Sequence, residues 1–321
     1  MNARQALLPL VPLYAAAIAL KNAAYATGLL RPRRLRSPVI NVGSLSAGGA
    51  GKTPFVILLI NLLKQRGYSP DVLTRGYGRS GNAIERVEIT GDAARFGDEP
   101  LLLAQKSGVP VFVGAARYQA GLLAELNEAQ SCVHLLDDGF QHRKLARIVD
   151  IVLLTQRDLQ DGLLPAGNLR EPLSSLRRAQ IAVVREDEPN VIEAVRKYAP
   201  HAVVWIVRRN IILPAEKMPQ RPLFFCGIAR PQDFAADLRA LGCNPAAEVF
   251  FPDHQKYSPH EIARLLKVAG DSNTDGFITT EKDAVKFSSA MREQLNPLII
   301  AELHLELRDA HACMDALIKR L

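Results

Sequence analysis

The sequence predicts an α/β protein: a doubly wound, mainly parallel sheet, followed by a second, smaller α/β domain and preceded by an apolar N-terminal helix. Three observations carry this. From Pro38 onward, short apolar runs rich in β-branched residues alternate with stretches of helical periodicity, the rhythm of a parallel sheet with helices on both faces. A proline-rich break at 213–222 interrupts that rhythm, which then resumes on a smaller scale. Before Pro38, residues 6–20 are uncharged and almost wholly apolar. The 321 residues are too many for one small core and few for three domains. The division expected is 1–36, 37–215 and 216–321.

The N-terminal run of 15 residues is shorter than the ~20 that a helix needs to cross a bilayer. Lys21 interrupts it, and Arg31, Arg33, Arg34 and Arg36 follow. An interfacial helix or a marginal span fits, with the basic flank on anionic head groups, where each Arg is worth about 1 kcal/mol. The plainer alternative is a helix packed within its own domain. Strands are then expected at 37–42, 71–74, 109–113, 131–136, 148–154 and 180–185, with helices at 52–66, 99–106 and 119–129. Beyond the break come a strand at 223–226, helices around Asp233 and Ile262, strands at 277–280 and 298–300, and a final helix running to Leu321.

With 48% hydrophobic and 23% charged residues and no repeat, the chain is an ordinary globular protein rather than a disordered one. Its net charge of +7 suits an anionic partner, whether nucleic acid, an acidic membrane surface or a phosphorylated substrate. The four cysteines, Cys132, Cys226, Cys243 and Cys313, are widely spaced and form no CxxC pair. They read as reduced, mostly buried thiols rather than a zinc site or a disulfide framework.

The strongest local signal is Ser46-Ala47-Gly48-Gly49-Ala50-Gly51-Lys52-Thr53, placed between a strand and a helix as a P-loop is. Glycines let backbone N–H groups turn towards phosphate oxygens, and the helix N-terminus adds its dipole. Lys52 reaches the β- and γ-phosphates, and Thr53 holds Mg²⁺. Pro54 falls in the first turn, where its missing N–H costs nothing. Ser46 stands where the usual first glycine would be, leaving Gly48 and Gly49 to supply the flexibility. A nucleotide-binding loop so soon after the arginines also argues against a secretory signal.

A second signal is the apolar strand that ends in Asp137-Asp138. In P-loop enzymes a carboxylate at such a strand end orders Mg²⁺. Gly139-Phe140-Gln141-His142 follows, at the sheet edge where ligands of these folds collect. Three more polar clusters lie in predicted loops. In Gly97-Asp98-Glu99-Pro100, Asp98 suits a helix N-cap as well as a site. Arg170-Glu171-Pro172 suits a solvated turn, and Phe251-Pro252-Asp253-His254 a surface hydrogen bond.

The order of these clusters is itself specific. It runs from the apolar-basic N-terminus through Asn41-Val42-Gly43-Ser44, Gly48-Gly49-Ala50-Gly51-Lys52-Thr53-Pro54 and Arg75-Gly76-Tyr77-Gly78-Arg79. It continues through Gly97-Asp98-Glu99-Pro100, Asp137-Asp138-Gly139-Phe140-Gln141-His142, Leu169-Arg170-Glu171-Pro172, Phe251-Pro252-Asp253-His254 and Thr279-Thr280-Glu281-Lys282-Asp283. Over nearly the whole chain it resembles the tetraacyldisaccharide 4'-kinases of lipid A biosynthesis. The resemblance implies a two-domain enzyme that moves the γ-phosphate of ATP to the 4'-hydroxyl of a tetraacyldisaccharide 1-phosphate. ATP would sit between the lobes, with Mg²⁺, at the cytoplasmic face of the inner membrane. The partners expected are the acylated disaccharide and an anionic membrane surface, for a monomer that binds no nucleic acid.

Carried over residue by residue, Lys52 and Thr53 bind phosphates and Mg²⁺, while Asp137, Asp138 and Glu171 organise metal and water. Asp98 matches the proposed catalytic base and His254 the second-lobe histidine that supports it as a dyad. Asn41, Arg117, Gln141 and Arg170 resemble phosphate or substrate contacts. Where the family often has a second histidine after the Asp-His pair, this chain has Gln255.

The rival from another class is a P-loop NTPase switch that acts on a protein partner. Such switches often carry a lysine near the start of the loop, where this chain has Ala47, and they leave the N-terminal segment unexplained. A GTPase lacks support because no Asn-Lys-x-Asp motif is present. Nucleic-acid binding rests on net charge alone, without an aromatic-basic surface motif.

Overall fold

The computed structural model describes residues 4–127, 133–214 and 218–321. The expected strand start at 131, helix end at 129, domain border at 215/216 and Cys132 lie outside them.

A 3₁₀ turn (Gln5–Leu10) leads into α1 (Val11–Ala26). The first half of the chain then runs β1 (Val39–Ser44), α2 (Lys52–Gln65), β2 (Pro70–Thr74), β3 (Glu85–Arg86), α3 (Ala93–Phe96), α4 (Asp98–Ser107), β4 (Val111–Val113), α5 (Arg117–Asn127), β5 (Val133–Asp137) and β6 (Val149–Leu153). After α6 (Gln156–Gln160) come β7 (Ile181–Arg185), α7 (Asn190–Tyr198) and β8 (Val203–Ile212). The remainder is β9 (Pro222–Cys226), α8 (Pro231–Ala240), β10 (Ala247–Phe250), α9 (Pro259–Asp271), β11 (Gly276–Thr280), α10 (Glu281–Ala284), α11 (Ser289–Gln294), β12 (Leu298–Leu307) and α12 (Ala310–Ile318).

The strands join in one sheet of order β10-β9-β11-β12-β8-β7-β6-β1-β5-β2-β4-β3. All neighbours are parallel except β3 with β4 and β8 with β12. The strand expected at 298–300 continues to Leu307, and the extension does the joining. Leu298–Ala301 pair with β11, and Glu302–Leu307 turn to β8. Helix α12 then brings Met314 and Leu317 into the core shared by α2 and by Leu305 and Leu307 of β12. Helix α7 had no counterpart in the sequence reading; its Val191 and Val195, four apart, are its buried stripe.

Central strands buried on both faces are mostly apolar, and every residue of β1 is buried, Asn41 and Ser44 included. Each branched side chain so buried contributes about 1.5–3 kcal/mol, whereas a polar one costs unless it is paired. Most polar residues in these strands are paired across the sheet. Asn41 donates to Asp150 at 2.7 Å, and Thr74 donates to Asp137 at 3.0 Å.

His134 on β5 and Asp71 on β2 are register partners, with Nδ1 2.7 Å from the carboxylate and the ring fully buried. Burial opposes protonation of His134, but Asp71 and Glu125 raise its pKa above the ordinary value. Because the folded-state pKa is raised, the stabilisation is complete below the unfolded value of about 6.5 and is lost as pH rises through the folded pKa. We expect the unfolding free energy to decline over that window in wild type, and the decline to flatten in His134→Gln, as measured by denaturant titration at several pH values.

The N-terminal helix is longer than its uncharged stretch suggested. Ala6–Ala26, 21 residues, is long and apolar enough to cross a membrane, because Lys21 sits within the helix without ending it. It is not packed into the core: α1 buries no residue, and Leu7, Leu8, Leu10, Leu13 and Leu20 are exposed. Its polar side chains hold it along the body instead. Tyr14 Oη donates to Arg170 O, Lys21 Nζ to Gln141 O and Asn22 Nδ2 to Glu171 Oε2, at 2.9, 2.9 and 3.0 Å. Of the cysteines described, Cys226 is buried while Cys243 and Cys313 are partly exposed, and all three are free thiols.

Candidate active site

The chain leaves β1 for β2 on one side, returns to β5 beside β1, and crosses to β6 on the other side. The carboxyl edge of β1 is therefore a point where strand order reverses, the place such sheets bind ligands. The 45–51 loop occupies it. Gly48, Gly49 and Gly51 have φ of 80°, 69° and 79°, a left-handed conformation that residues with a Cβ resist. A Cβ at Gly49 would also lie 2.6 Å from Arg230 Nε, which reaches over the loop from the far side of the sheet.

Ala47 departs from expectation. Its N–H donates to Asn168 O at 2.9 Å, so its backbone braces the loop and is not free to meet a phosphate. Arg170 N completes the brace on Leu45 O at 2.8 Å. Ser46 Oγ is buried without a partner, while Gly48–Thr53 face a cavity.

Lys52 folds back from the start of α2. Its Nζ donates to Ser44 Oγ at 3.1 Å and lies 3.5 Å from Asp138. Arg170 meets both oxygens of Asp138, at 2.6 and 2.7 Å. Burial opposes a charge on Asp138, but these two cations hold its carboxyl well below the usual range.

Asp137, aligned with Val42 of β1, differs. Thr74 satisfies one oxygen, and Oδ1 is buried without a donor. Burial, with Glu99 and Asp138 nearby, pushes its pKa up to about 7. A buried carboxylate oxygen left bare is costly, and a cation with its water shell satisfies it. Among the described residues no group of three or more His, Cys, Asp or Glu forms a metal cage. The chemistry on hand, the Thr53 hydroxyl and the Asp137 and Asp138 carboxylates, fits a hard cation that shares its shell with nucleotide phosphates. Glu171, expected at the metal, is instead brought to Arg178, which takes both its oxygens at 2.8 and 3.0 Å. With Asn22 on the same carboxylate, its arrangement ties α1 to the body.

Asp98 and His254, 156 residues apart, meet. Asp98 opens α4 and is 6% exposed, at the helix end whose dipole favours an anion. His254 follows β10 with a left-handed φ of 60°. Its Nδ1 lies 3.0 and 3.2 Å from the two Asp98 oxygens. Burial works to raise the Asp98 pKa, but the His254 bond and the Lys282 charge hold it below the ordinary value. The same bond raises His254. Tyr77, exposed on its Gly-Tyr-Gly turn, packs its ring 5.1 Å from that of His254.

A cavity of about 250 Å³ opens between the glycine loop and His254, with Asp98 behind that ring. Its polar end holds Lys52, Thr53, Arg230, His254 and Lys282, and its apolar end Val183, Val207 and Leu305. The sequence reading gave no role to Lys282, Arg230 or Tyr77; the first and last lay within quoted motifs, whereas Arg230 carried no local signal.

The expected substrate contacts divide. Asn41 is fully buried and held by Asp150, away from any ligand that enters from solvent. Gln141 donates to Ser44 O at 3.1 Å, behind the loop. Arg117 donates to Ala115 O and keeps a buried Nε without a partner; burial and the charge of Arg75 push its guanidinium down to about 10. Nearby, His142 is pushed down to about 4 by burial and by Arg117, Arg147, Lys144 and Lys21. These cations make a basic cluster beside Asp137 and Asp138.

A glycine-rich loop at the strand-order reversal, opposite the Asp98–His254 contact and with basic side chains around both, fits one class: a phosphotransferase. The family described as tetraacyldisaccharide-1-P 4'-kinase matches residues 3–321, and the chain belongs to it. The tetraacyldisaccharide 4'-kinase of Koribacter versatilis is 46% identical over 319 residues, 97% of each chain. That of Geobacter metallireducens is 38% identical over 324 residues, covering 96% of this chain and 95% of its own. The crystal structure of the "apo" form of LpxK from Aquifex aeolicus in complex with ATP superposes with a TM-score of 0.79 at 32% identity over 99% of each chain.

Proposed function

We propose that this enzyme transfers the γ-phosphate of ATP to the 4'-hydroxyl of a tetraacyldisaccharide 1-phosphate in lipid A biosynthesis. The observation that carries the reading is the contact of Asp98 with His254, which lines the cavity shared with the glycine loop, on a chain that belongs to the family. Two lobes, 37–215 and 216–321, close on the nucleotide. The loop amides from Gly48 onward and Lys52 take the phosphates. Mg²⁺, held by Thr53 and by Asp137 and Asp138 directly or through water, neutralises charge on the transferring group. Asp98 accepts the hydroxyl proton as the sugar oxygen attacks phosphorus and ADP departs, while His254 orients the carboxylate. The basic cluster around Arg117 suits an acceptor that already carries a phosphate.

The helix 6–26 supports attachment to an anionic membrane surface at the cytoplasmic face of the inner membrane. Contacts from Tyr14 to Asn22 hold it lengthwise on the body, which favours lying on the membrane over crossing it. The charge of +7 accords with such a surface and with a phosphorylated lipid.

Transfer of labelled γ-phosphate to the lipid in detergent micelles, with a lipid-free control, tests the function. Lipid-dependent product supports it; lipid-indifferent hydrolysis favours the NTPase switch. The double variant Leu13→Glu/Leu20→Glu is expected to bind anionic vesicles at least tenfold more weakly, since each buried Leu contributes about 1.5–3 kcal/mol. Its ATP affinity is expected to stay at the wild-type value, with vesicle sedimentation and calorimetry as the two measurements.

A further inference from the structure

The Thr280-Glu281-Lys282-Asp283 segment carries a role that the reaction scheme above leaves open. Three of its four side chains have structural partners close by. Thr280 caps α10, Glu281 pairs with Lys106, and Asp283 accepts from Tyr257, Lys286 and the Gly227 amide. Lys282 instead ends between the catalytic groups. Its Nζ lies 3.3 Å from His254 Nε2, 3.0 Å from Glu99 Oε1 and 3.4 Å from Asp253 Oδ1.

An ammonium has only donors, so at His254 Nε2 it meets a lone pair. We propose that Lys282 is a positioning residue for phosphoryl transfer: it fixes His254 with Nε2 as acceptor, leaving Nδ1–H to face Asp98, and ties the His254 loop to α4 through Glu99. This rests on the Asp98–His254 reading above. Which ring nitrogen carries the proton is set by the bond the other makes, and with Lys282 in place the neutral ring has one productive tautomer. Glu99 directly follows Asp98, so the same ammonium spans the two segments that carry the dyad.

The charged and titratable groups facing this pair are Asp98, Glu99, Asp253, Lys282 and Tyr77, with Lys286 acting at longer range on Asp98. The Lys282 charge presses the His254 pKa down against the pull of Asp98. Its removal lets the dyad take up a second proton at higher pH, and a protonated dyad is a poorer base.

The test compares Lys282→Met, Lys282→Arg, His254→Ala and the His254→Ala/Lys282→Met double variant in the full-length enzyme, with ATP binding and thermal unfolding as controls on folding. A misplaced catalytic group costs about ten- to a hundredfold, and that loss is expected in kcat for Lys282→Met, with the KM for ATP nearly unchanged. The acid limb of its kcat–pH profile should move to higher pH, and Lys282→Arg should recover part of the rate. The double variant should be no slower than His254→Ala, because Lys282 acts through that ring. A raised KM for ATP with unchanged kcat and pH profile would make Lys282 a phosphate ligand and overturn the proposal. Multiplicative losses in the double variant would overturn it as well. Should His254→Ala alone leave turnover intact, the dyad reading itself fails, a result distinct from either.

Discussion

Asp98→Asn is expected to lower kcat by about 10²–10⁴-fold, the contribution of a well-placed general base, while ATP affinity stays near wild type. The substitution keeps shape and most hydrogen bonding but removes the lone-pair charge that receives the hydroxyl proton. Asp98 can hold that charge in a nearly closed site because three features favour the ionised form. These are the His254 bond at 3.0 Å, the Lys282 ammonium and the N-terminus of α4. Its lowered pKa means the carboxylate persists as pH falls below neutrality, so the acid limb of activity follows protonation of the His254 ring rather than of Asp98. Single-turnover transfer across pH, with ATP binding measured separately, checks both parts. Equal losses in binding and turnover would count against Asp98 as the base.

Lys52→Met is expected to cost about 10²–10³-fold in kcat/KM, the scale for removing one preorganised charge from a transition state. Lys52 reaches Ser44 and Asp138 from the first residue of α2, and in the proposed reaction its ammonium meets the γ-phosphate charge. Phosphate binding would exchange the Asp138 contact for a stronger one, and Arg170 remains to hold Asp138. Nucleotide affinity should therefore fall along with kcat, in contrast to Asp98→Asn. Calorimetry with ATP and the transfer assay separate the two patterns.

Much of the site was readable because its residues lie in local motifs with local reasons. The glycine loop needs positive φ beside a strand end, and Gly48, Gly49 and Gly51 adopt it. The apolar strand closing in Asp137-Asp138 ends beside β1, where register places it. Other expectations missed for reasons no motif carries. Ala47 lies within the loop pattern, yet its amide is taken by Asn168, 121 positions later. Glu171 sits next to Arg170, but Arg178 and Asn22 claim its carboxylate.

The sequence by itself determined the parallel α/β sheet, the glycine loop between β1 and α2, the apolar helix and the family. Each of these rests on periodicity, turn chemistry or residue order within a short span. Only the tertiary structure decided the rest. It showed that β12 joins the two halves in one sheet and that α1 lies along the body. It also set which buried polar atoms have partners, leaving Asp137 Oδ1 bare and Lys282 against His254. These outcomes depend on contacts that no local motif links, from 28 residues apart for Lys282 and His254 to 156 for Tyr14 and Arg170. There the cost of burying an unpaired charge, rather than any local preference, chooses the partner.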